Sequence, residues 1–115
     1  MAGKLEIVEG EKALVGLVTC PDEETASALA EALVDEQAAA CVNIIPGLTS
    51  IYRWKGEVCR DREYLLVIKT TSARREAVAE QLTALHPYEE PELIFLPLDS
   101  GSRGYLGWLA EQVRT

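Results

Sequence analysis

Residues 41–69, CVNIIPGLTSIYRWKGEVCRDREYLLVIK, decide the fold of this chain. Two apolar runs rich in β-branched residues flank a Trp-Lys-Gly-Glu centre, and Lys55-Gly56 suits a tight hairpin turn because glycine adopts positive φ without steric cost. The strand that follows, over residues 57–70, would extend roughly 46 Å at about 3.3 Å per residue, whereas most strands contain about 5–6 residues. The hairpin is therefore predicted to project beyond its own sheet and to need a partner surface near its tip.

On either side of this hairpin, the chain repeats a plan of strand and helix. Apolar runs without a helical stripe predict strands, and apolar residues three and four positions apart predict helices. The predicted segments, in chain order, are a strand at 12–20, a helix at 22–37, a strand at 41–45 that bends at Pro46-Gly47 and continues over 48–54, the long strand at 57–70, a helix at 73–85, a strand at 92–98 and a short helix at 105–113.

The segments between and before these elements have their own predictions. Residues 1–11 are expected to form a frayed or edge-docked lead, and the composition of residues 99–102 (Asp-Ser-Gly-Ser) favours a turn. The hydroxyls of Thr70, Thr71 and Ser72 are candidates for capping the second helix.

The predicted order βαββαβ is the split βαβ, ferredoxin-like plan of an α+β protein, with a long β2-β3 hairpin and an added C-terminal helix. This plan places both main helices on one face of a four-stranded antiparallel sheet. The long strand is apolar at both parities, with Leu66 and Ile68 on one side and Leu65 and Val67 on the other. Because a solvated sheet face alternates apolar with polar residues, the second face is expected to be covered by other subunits of a homo-oligomer.

Length and charge limit the classes of function. The chain has 115 residues, which predicts a single domain over 1–115 that folds without a metal or disulfide. Its net charge is −8 and no basic patch is visible, so nucleic acid and anionic membranes are not expected as partners. No apolar run approaches the ~20 residues that span a bilayer, and residues 1–12 lack the apolar core of a signal peptide.

Three cysteines, Cys20, Cys41 and Cys59, lie in strand-like runs without a C-x-x-C motif. An odd count in this arrangement disfavours a disulfide framework and a structural zinc site. The cysteines are interpreted as small core residues of a soluble, reduced, cytoplasmic protein.

Five segments resemble the CutA family, the divalent-cation tolerance proteins. They are VTCPDEETA at 18–26, AAACVNIIPGLTSIYRWKGEV at 38–58, YLLVIKT at 64–70, LHPYEEPE at 85–92 and YLGWL at 105–109. They occur in the family's order and cover nearly the whole chain. The resemblance implies a ferredoxin-like fold and a tight homotrimer, in which the sheets surround a threefold axis and the hairpins reach neighbours, as in the PII-type signalling trimers. It also implies a response to copper and other divalent metals, without an established enzymatic reaction.

The metal candidates are His86, Glu89 and Glu90. His86 is the only histidine, and an imidazole with nearby carboxylates can bind a borderline divalent cation such as copper. The family's copper site is described with a cysteine on the first strand and two adjacent histidines; those positions hold Val18, Leu85 and His86 here, so only the histidine carries over. The other interpretation of His86 is a capping or hydrogen-bonded structural residue at a helix C-terminus.

Eight further residues are predicted to lie in a cleft or at a subunit interface. Cys41 has no histidine near it in sequence to activate it as a nucleophile, Asn43 must find a partner if buried, and Glu63 and Lys69 are expected to join an ion pair between subunits. The aromatic residues of this set are amphipathic and suit subunit contacts. They are Tyr52, Trp54, Tyr88 and Trp108.

These residues have three alternative functional interpretations. The first is a non-enzymatic, cytoplasmic homotrimer of the CutA kind with weak divalent-metal binding. The alternative is a PII-like trimeric sensor that binds a small anion in the cleft between subunits near Lys69. The third, an enzyme of the dimeric ferredoxin-like barrels, is disfavoured because the chain has one histidine and no clear acid-base pair.

Overall fold

The structure is a computed structural model, and it describes residues 4–113. Strands and helices alternate along the chain in the predicted plan, and short extra elements lie near both ends of the chain. They are β1 (Ile7–Glu9), β2 (Ala13–Cys20), α1 (Glu23–Asp35), β3 (Cys41–Trp54), β4 (Glu57–Thr71), a 3-10 turn (Ser72–Arg74), α2 (Arg75–Leu85), β5 (Ile94–Pro97), β6 (Ser100–Ser102) and α3 (Arg103–Gln112).

The main sheet has four strands in the order β3-β4-β2-β5, and every neighbouring pair is antiparallel. This order places β5, the last strand of the main sheet in the chain, beside β2, its first strand, as the split βαβ plan requires. The predicted α+β, ferredoxin-like fold is therefore confirmed. Strand β5 is shorter than predicted, because it pairs only with Leu14–Leu17 of β2.

The core lies between one face of the sheet and the helices α1 and α2. Val18, Leu66 and Ile68 have no exposed surface on that face, and they pack with Leu29 of α1 and Val78 of α2. Burial of each large apolar side chain contributes about 1.5–3 kcal/mol relative to leaving it in water. The alternation of these positions with partly exposed neighbours fixes which face of the sheet meets the helices.

Helix α1 begins as its sequence predicts, but α2 does not. The carboxylate of Asp22 accepts a hydrogen bond of 2.7 Å from the Thr25 amide, and this bond holds the pKa of Asp22 below its usual value. The predicted hydroxyl cap of α2 is wrong: Arg74 is its N-cap residue, without a side-chain cap bond. Thr70 instead donates its hydroxyl to the Ala38 carbonyl at 2.6 Å, since it belongs to the last, buried part of β4.

The hairpin of β3 and β4 is the longest feature of the molecule, which measures 51 × 25 × 24 Å. Lys55 and Gly56 form its turn with φ of 50° and 83°. The predicted bend at Pro46-Gly47 is a bulge between Ile45 and Leu48, and strand β3 continues through it to Trp54 as predicted. At this bulge proline supplies no N–H, and Gly47 adopts φ of 80°. The projecting hairpin predicted from the sequence is confirmed.

The second face of the sheet, called here the open face, lies opposite the face that packs on α1 and α2. The strand register places Ile45, Ile94 and Leu96 on it, and these side chains are 45–49% exposed. The two-sided apolar pattern of the sequence thus leaves these apolar side chains of the open face partly exposed in a single copy.

A second, two-stranded sheet forms from β1 and β6. The lead predicted over residues 1–11 as frayed or edge-docked is docked over Ile7–Glu9, and residues 1–3 of that prediction lie outside the described residues. The predicted turn at 99–102 is wrong, because Ser100–Ser102 pairs with β1. Gly10 allows the close crossing beside this sheet, since a Cβ there would lie 1.8 Å from the Leu98 carbonyl oxygen.

Candidate functional site

A cleft of about 670 Å³, called here the acidic cleft, lies between the hairpin and the segment that follows α2. Its lining combines carboxylates, aromatic rings and a few small or apolar side chains. The described residues that line it are Thr19, Ser50, Ile51, Tyr52, Trp54, Glu63, Pro87, Tyr88, Glu89, Glu90 and Glu92.

His86 anchors the wall of the cleft that follows α2. Pro87 disfavours helical geometry at the residue before it, so α2 ends at Leu85 and His86 is extended. The buried His86 ring donates from Nε2 to the Thr19 carbonyl at 2.8 Å and accepts at Nδ1 from the Tyr88 amide at 3.2 Å. Because a carbonyl only accepts and an amide N–H only donates, these two bonds define a single neutral tautomer.

Tyr88 and Glu63 join this wall to the hairpin. The Tyr88 hydroxyl donates to Oε2 of Glu63 at 2.6 Å, and Glu63 is only 4% exposed. Desolvation raises the pKa of Tyr88, and the bond to Glu63 raises it further. A buried carboxylate in this position is satisfied by a neutral phenol rather than by a cation.

The hairpin supplies the opposite wall. Ser50, Tyr52 and Trp54 alternate along β3 and share a face with Glu63 of β4. The Tyr52 hydroxyl donates to the carboxylate of Asp61, and this bond is the largest cause that raises the pKa of Tyr52 to about 12.

Lys55 lies at the rim, where its ammonium group meets both walls. Its Nζ lies 5.7 Å from the centroid of the Trp54 ring and 3.9 Å from Oε2 of Glu89. The side chains of Lys55 and Glu89 are about three-quarters exposed, so this ion pair contributes little to stability.

The charge of the lining determines what the cleft can hold. Four glutamates line it, namely Glu63, Glu89, Glu90 and Glu92, and none of the described lining residues is basic. Carboxylate oxygens bind hard cations and ammonium groups, and aromatic faces attract organic cations. The arrangement therefore suits a cation and not an anion.

The predicted metal residues are only partly brought together. Glu89 and Glu90 both line the cleft, whereas the two ring nitrogens of His86 are already hydrogen-bonded. Within residues 4–113, no three His, Cys, Asp or Glu side chains form a group able to hold a metal ion.

The predicted interface residues lie in three places, which are the cleft, the open face and helix α3. Tyr52, Trp54, Glu63 and Tyr88 line the cleft. Cys41, Asn43 and Lys69 lie on the open face, because Cys41 is opposite Lys69 and Asn43 is opposite Val67 in the strand register.

Lys69 and Glu63 bond to different partners within one chain. Lys69 donates from Nζ to Oδ1 of Asn43, and Glu63 accepts from Tyr88. The ion pair expected between subunits stays a prediction. Asn43 is exposed in one copy and accepts this bond from Lys69, so the partner expected of a buried Asn43 stays a prediction.

Trp108 lies on α3, outside the cleft lining. It is 41% exposed and packs against Tyr105, with ring centroids 5.5 Å apart. Burial and the neighbouring Cys41 raise the pKa of Tyr105. The contact links α3 to the start of β3 rather than to the hairpin tip.

Sequence reasoning missed several residues of the site, chiefly Ser50, Lys55, Asp61 and Glu92. The available signal was the alternation of Ser50 with Tyr52 and Trp54 along β3, opposite the acidic positions 57, 61 and 63 of β4. Because residues two apart on a strand share a face, this pattern places aromatic and acidic side chains together.

The fold and the cleft define a ferredoxin-like protein with a projecting hairpin and an anionic site along that hairpin. The sequence profile described as "CutA1 divalent ion tolerance protein" matches residues 14–112. The chain belongs to this family.

Known relatives agree in sequence and in fold. The "Divalent-cation tolerance protein CutA" of Thermus thermophilus is 56% identical over 97 residues, which are 84% of this chain and 94% of that protein. The solved structure of the divalent cation tolerance protein (Cut A1) from the same organism superposes with a TM-score of 0.87 at 53% identity, covering 89% of this chain and 99% of that one.

A plant relative is longer than this chain. "Protein CutA, chloroplastic" of Arabidopsis thaliana is 46% identical over 101 residues, which are 88% of this chain. The match spans 56% of that protein, or about half its length.

Between residues 4 and 113, no helix is long and apolar enough to cross a bilayer.

Proposed function

We propose that this protein is a homotrimeric, non-enzymatic member of the family that binds divalent cations weakly and with little selectivity in the acidic cleft. The observation that supports this proposal is the composition of the lining, which holds four glutamates and, among the described residues, no basic side chain. An anionic concave site concentrates cations from solution.

The proposed ligands are the carboxylates of Glu89 and Glu90, with His86 as the nitrogen donor. His86 can bind a metal ion only when its Nδ1 no longer accepts the hydrogen bond from the Tyr88 amide. The loss of this hydrogen bond lowers the affinity of the site for the metal. Cu(II) gains most from several nitrogen ligands, and Cu(I) from thiolates. One imidazole with exposed carboxylates therefore discriminates poorly among divalent metals, and we expect a Kd of about micromolar or weaker.

The proposed assembly is supported by the two faces of the hairpin. Arg53, Arg60 and Arg62 share one face, and Glu57, Asp61 and Glu63 share the other, as the strand register requires. Opposite faces of opposite charge suit head-to-tail contacts, which close into a ring when the rotation allows it. The resemblance to the family implies three copies.

The state of the cysteines supports two parts of this proposal, which are a reducing compartment and a role in binding without a reactive thiol. All three cysteines are free. Burial, with the nearby Glu63 charge as a second cause, raises the pKa of Cys20 to about 11, so its thiol stays protonated and unreactive near neutral pH. We propose the cytoplasm as the location, although a plant relative is named chloroplastic.

The alternative of a small-anion sensor is not favoured. Lys69, its proposed anion ligand, donates to Asn43 within the chain. No described residue of the cleft lining offers a positive charge in its place.

Titration calorimetry with Zn(II), Cu(II) and Mg(II) tests the metal site. The wild type should bind with a Kd of about micromolar or weaker, and Glu89→Gln/Glu90→Gln should lose binding at least tenfold. The matched control is Glu76→Gln/Glu80→Gln, which removes the same charge from exposed positions of α2. Equal loss in both double variants, or no binding by the wild type at millimolar metal, would contradict the proposal.

A further inference from the structure

We propose that the projecting hairpin of one copy docks its basic face against the acidic cleft of the next copy, so that arginines of a neighbour complete each cleft. The basic face consists of Ile51, Arg53, Val58, Arg60 and Arg62, which the strand register places on one side of the hairpin. The contact rests on the homo-oligomer of the proposed function and assigns the two surfaces that meet in it.

The length of the free part of the hairpin suits a contact with a second copy. Strand β4 pairs with β2 only from Tyr64 to Thr71, so residues 57–63 extend past β2. This part spans roughly 23 Å at about 3.3 Å per residue, and the two shorter dimensions of the molecule are 25 and 24 Å. Arg60 and Arg62 lie in this part, so the basic face is far enough from its own core to meet another copy.

The arginines of the basic face have no carboxylate partner in their own copy. Within residues 4–113, none of the three forms an ion pair. Arg53 donates instead to the Gly56 carbonyl at 3.5 Å. Like charges at neighbouring positions of paired strands repel one another, so a partner that carries carboxylates stabilises this face.

Two apolar side chains between the arginines also lack a cover in one copy. Ile51 is 62% exposed and Val58 is 67% exposed, and they lie at diagonal positions of the same face. Apolar side chains within a polar rim are typical of a surface that binds another protein. The net charge of −8 disfavours a polyanion as that partner, whereas a second copy brings its own carboxylates to the contact.

The acidic cleft offers the groups that bind a guanidinium. Glu90 and Glu92 line it, are exposed, and form no ion pair within the described chain. The rings of Tyr52 and Trp54 line the same cleft and are 41% and 40% exposed. Arginine pairs with carboxylates and also stacks on aromatic rings, so it uses both parts of this lining. The same contact would cover the Trp54 ring with a neighbouring copy.

The two surfaces are compatible with a closed ring of copies. The arginines and the acidic residues lie on opposite faces of one hairpin, so each copy gives its basic face to one neighbour and receives that of the other. Contacts of this kind leave no surface unpaired when the copies close into a ring. The neighbour's arginines also neutralise part of the cleft's charge, which lowers the affinity expected for a metal ion.

Charge reversal tests the contact from both sides. Arg60→Glu/Arg62→Glu and Glu90→Lys/Glu92→Lys should each lower the mass measured by light scattering at micromolar concentration from that of the trimer toward that of one chain. The variant that combines all four substitutions should regain the mass of the wild type, because opposite charges then face each other again. Circular dichroism verifies that each variant is folded.

The matched control places the same new charges elsewhere. Glu76→Lys/Glu80→Lys adds two lysines at exposed positions of α2, and its combination with Arg60→Glu/Arg62→Glu should not regain the wild-type mass. An assembly that withstands both reversals, or that the control restores as fully as the swap within the contact, would overturn the inference.

Carbodiimide cross-linking tests the contact without reversing any charge. Arg60→Lys/Arg62→Lys keeps both positive charges and supplies amines that carbodiimide joins to an adjacent carboxylate. Mass spectrometry of the cross-linked dimer should find links from position 60 or 62 to residues 89–92. Links from these positions only to other segments, or no cross-linked dimer in an assembled preparation, would overturn the inference even if a reversed variant failed to fold.

Light scattering and zinc calorimetry on the wild type separate this inference from the proposed function. A trimer that withstands both charge reversals would reject the inference alone. A trimer that depends on both surfaces but binds no zinc would reject the metal proposal and leave the inference standing. A monomeric wild type would reject the proposed assembly and this contact together.

Discussion

The Tyr88 hydroxyl donates a 2.6 Å hydrogen bond to Oε2 of Glu63, and this bond joins the segment after α2 to the projecting hairpin. The two residues are 25 positions apart, and Glu63 is almost fully buried. Without this phenol, a carboxylate at the base of the acidic cleft would have no donor from the described chain. The bond therefore ties the two walls of the cleft to each other.

Tyr88→Phe tests the energetic importance of that bond. The variant leaves a buried carboxylate unsatisfied, so we expect the free energy of unfolding to fall by about 1–3 kcal/mol. Urea denaturation followed by circular dichroism measures the change. Tyr64→Phe is the control, because its partly buried hydroxyl has no hydrogen-bond partner within residues 4–113. A loss for Tyr88→Phe no larger than that of the control would show that Glu63 is satisfied by other means.

Alkaline pH should destabilise the protein through its tyrosines. The pKa of Tyr52 rises from 10 to about 12, and that of Tyr88 is also raised. Between the unfolded and folded pKa values, the folded state binds more protons than the unfolded state, so stability falls as pH rises from about 10 to about 12. Stability below pH 10 should be unaffected by this linkage.

Absorbance near 295 nm during an alkaline titration measures the phenolates directly. Tyr52→Phe should remove a late-titrating component, and its stability should fall less steeply over the same pH window. A titration of all four tyrosines near pH 10 would contradict the hydrogen bonds of both Tyr52 and Tyr88 to carboxylates.

Light scattering tests the assembly. The mass should be about three times the chain mass of 12.6 kDa at micromolar concentration. Trp54→Ala should weaken the assembly by roughly 3 kcal/mol per site if the indole, 40% exposed in one copy, is buried against a neighbour. Trp54→Phe, which keeps an aromatic ring, should lose less. A monomeric wild type would contradict the role assigned to the open face, and an unchanged Trp54→Ala assembly would place the hairpin tip in solvent.

Much of the fold was predictable because its signals are local. Gly56 defines the hairpin turn, and the apolar runs around it define β3 and β4 to within about one residue at their ends. Strand β6 was not predictable, because Ser100–Ser102 has the composition of a turn and becomes a strand only by pairing with Ile7–Glu9, far away in sequence.

The site was less predictable than the fold for the same reason. A lone histidine before Pro87 resembles a free ligand, yet its ring is held by the Thr19 carbonyl, 67 residues away. The aromatic residues of the hairpin were expected at subunit contacts from their amphipathic nature alone. Their place beside Glu63 depends on how residues 86–92 pack on the hairpin, which sequence spacing does not encode.

Anomalous diffraction at the zinc absorption edge, from crystals equilibrated with millimolar zinc, tests cation binding in the acidic cleft most directly. The account predicts an anomalous peak between Glu89 and Glu90, repeated in each copy and absent from Glu89→Gln/Glu90→Gln crystals. A peak confined to the cysteines or to the open face, or a cleft without zinc while calorimetry records binding, would contradict it.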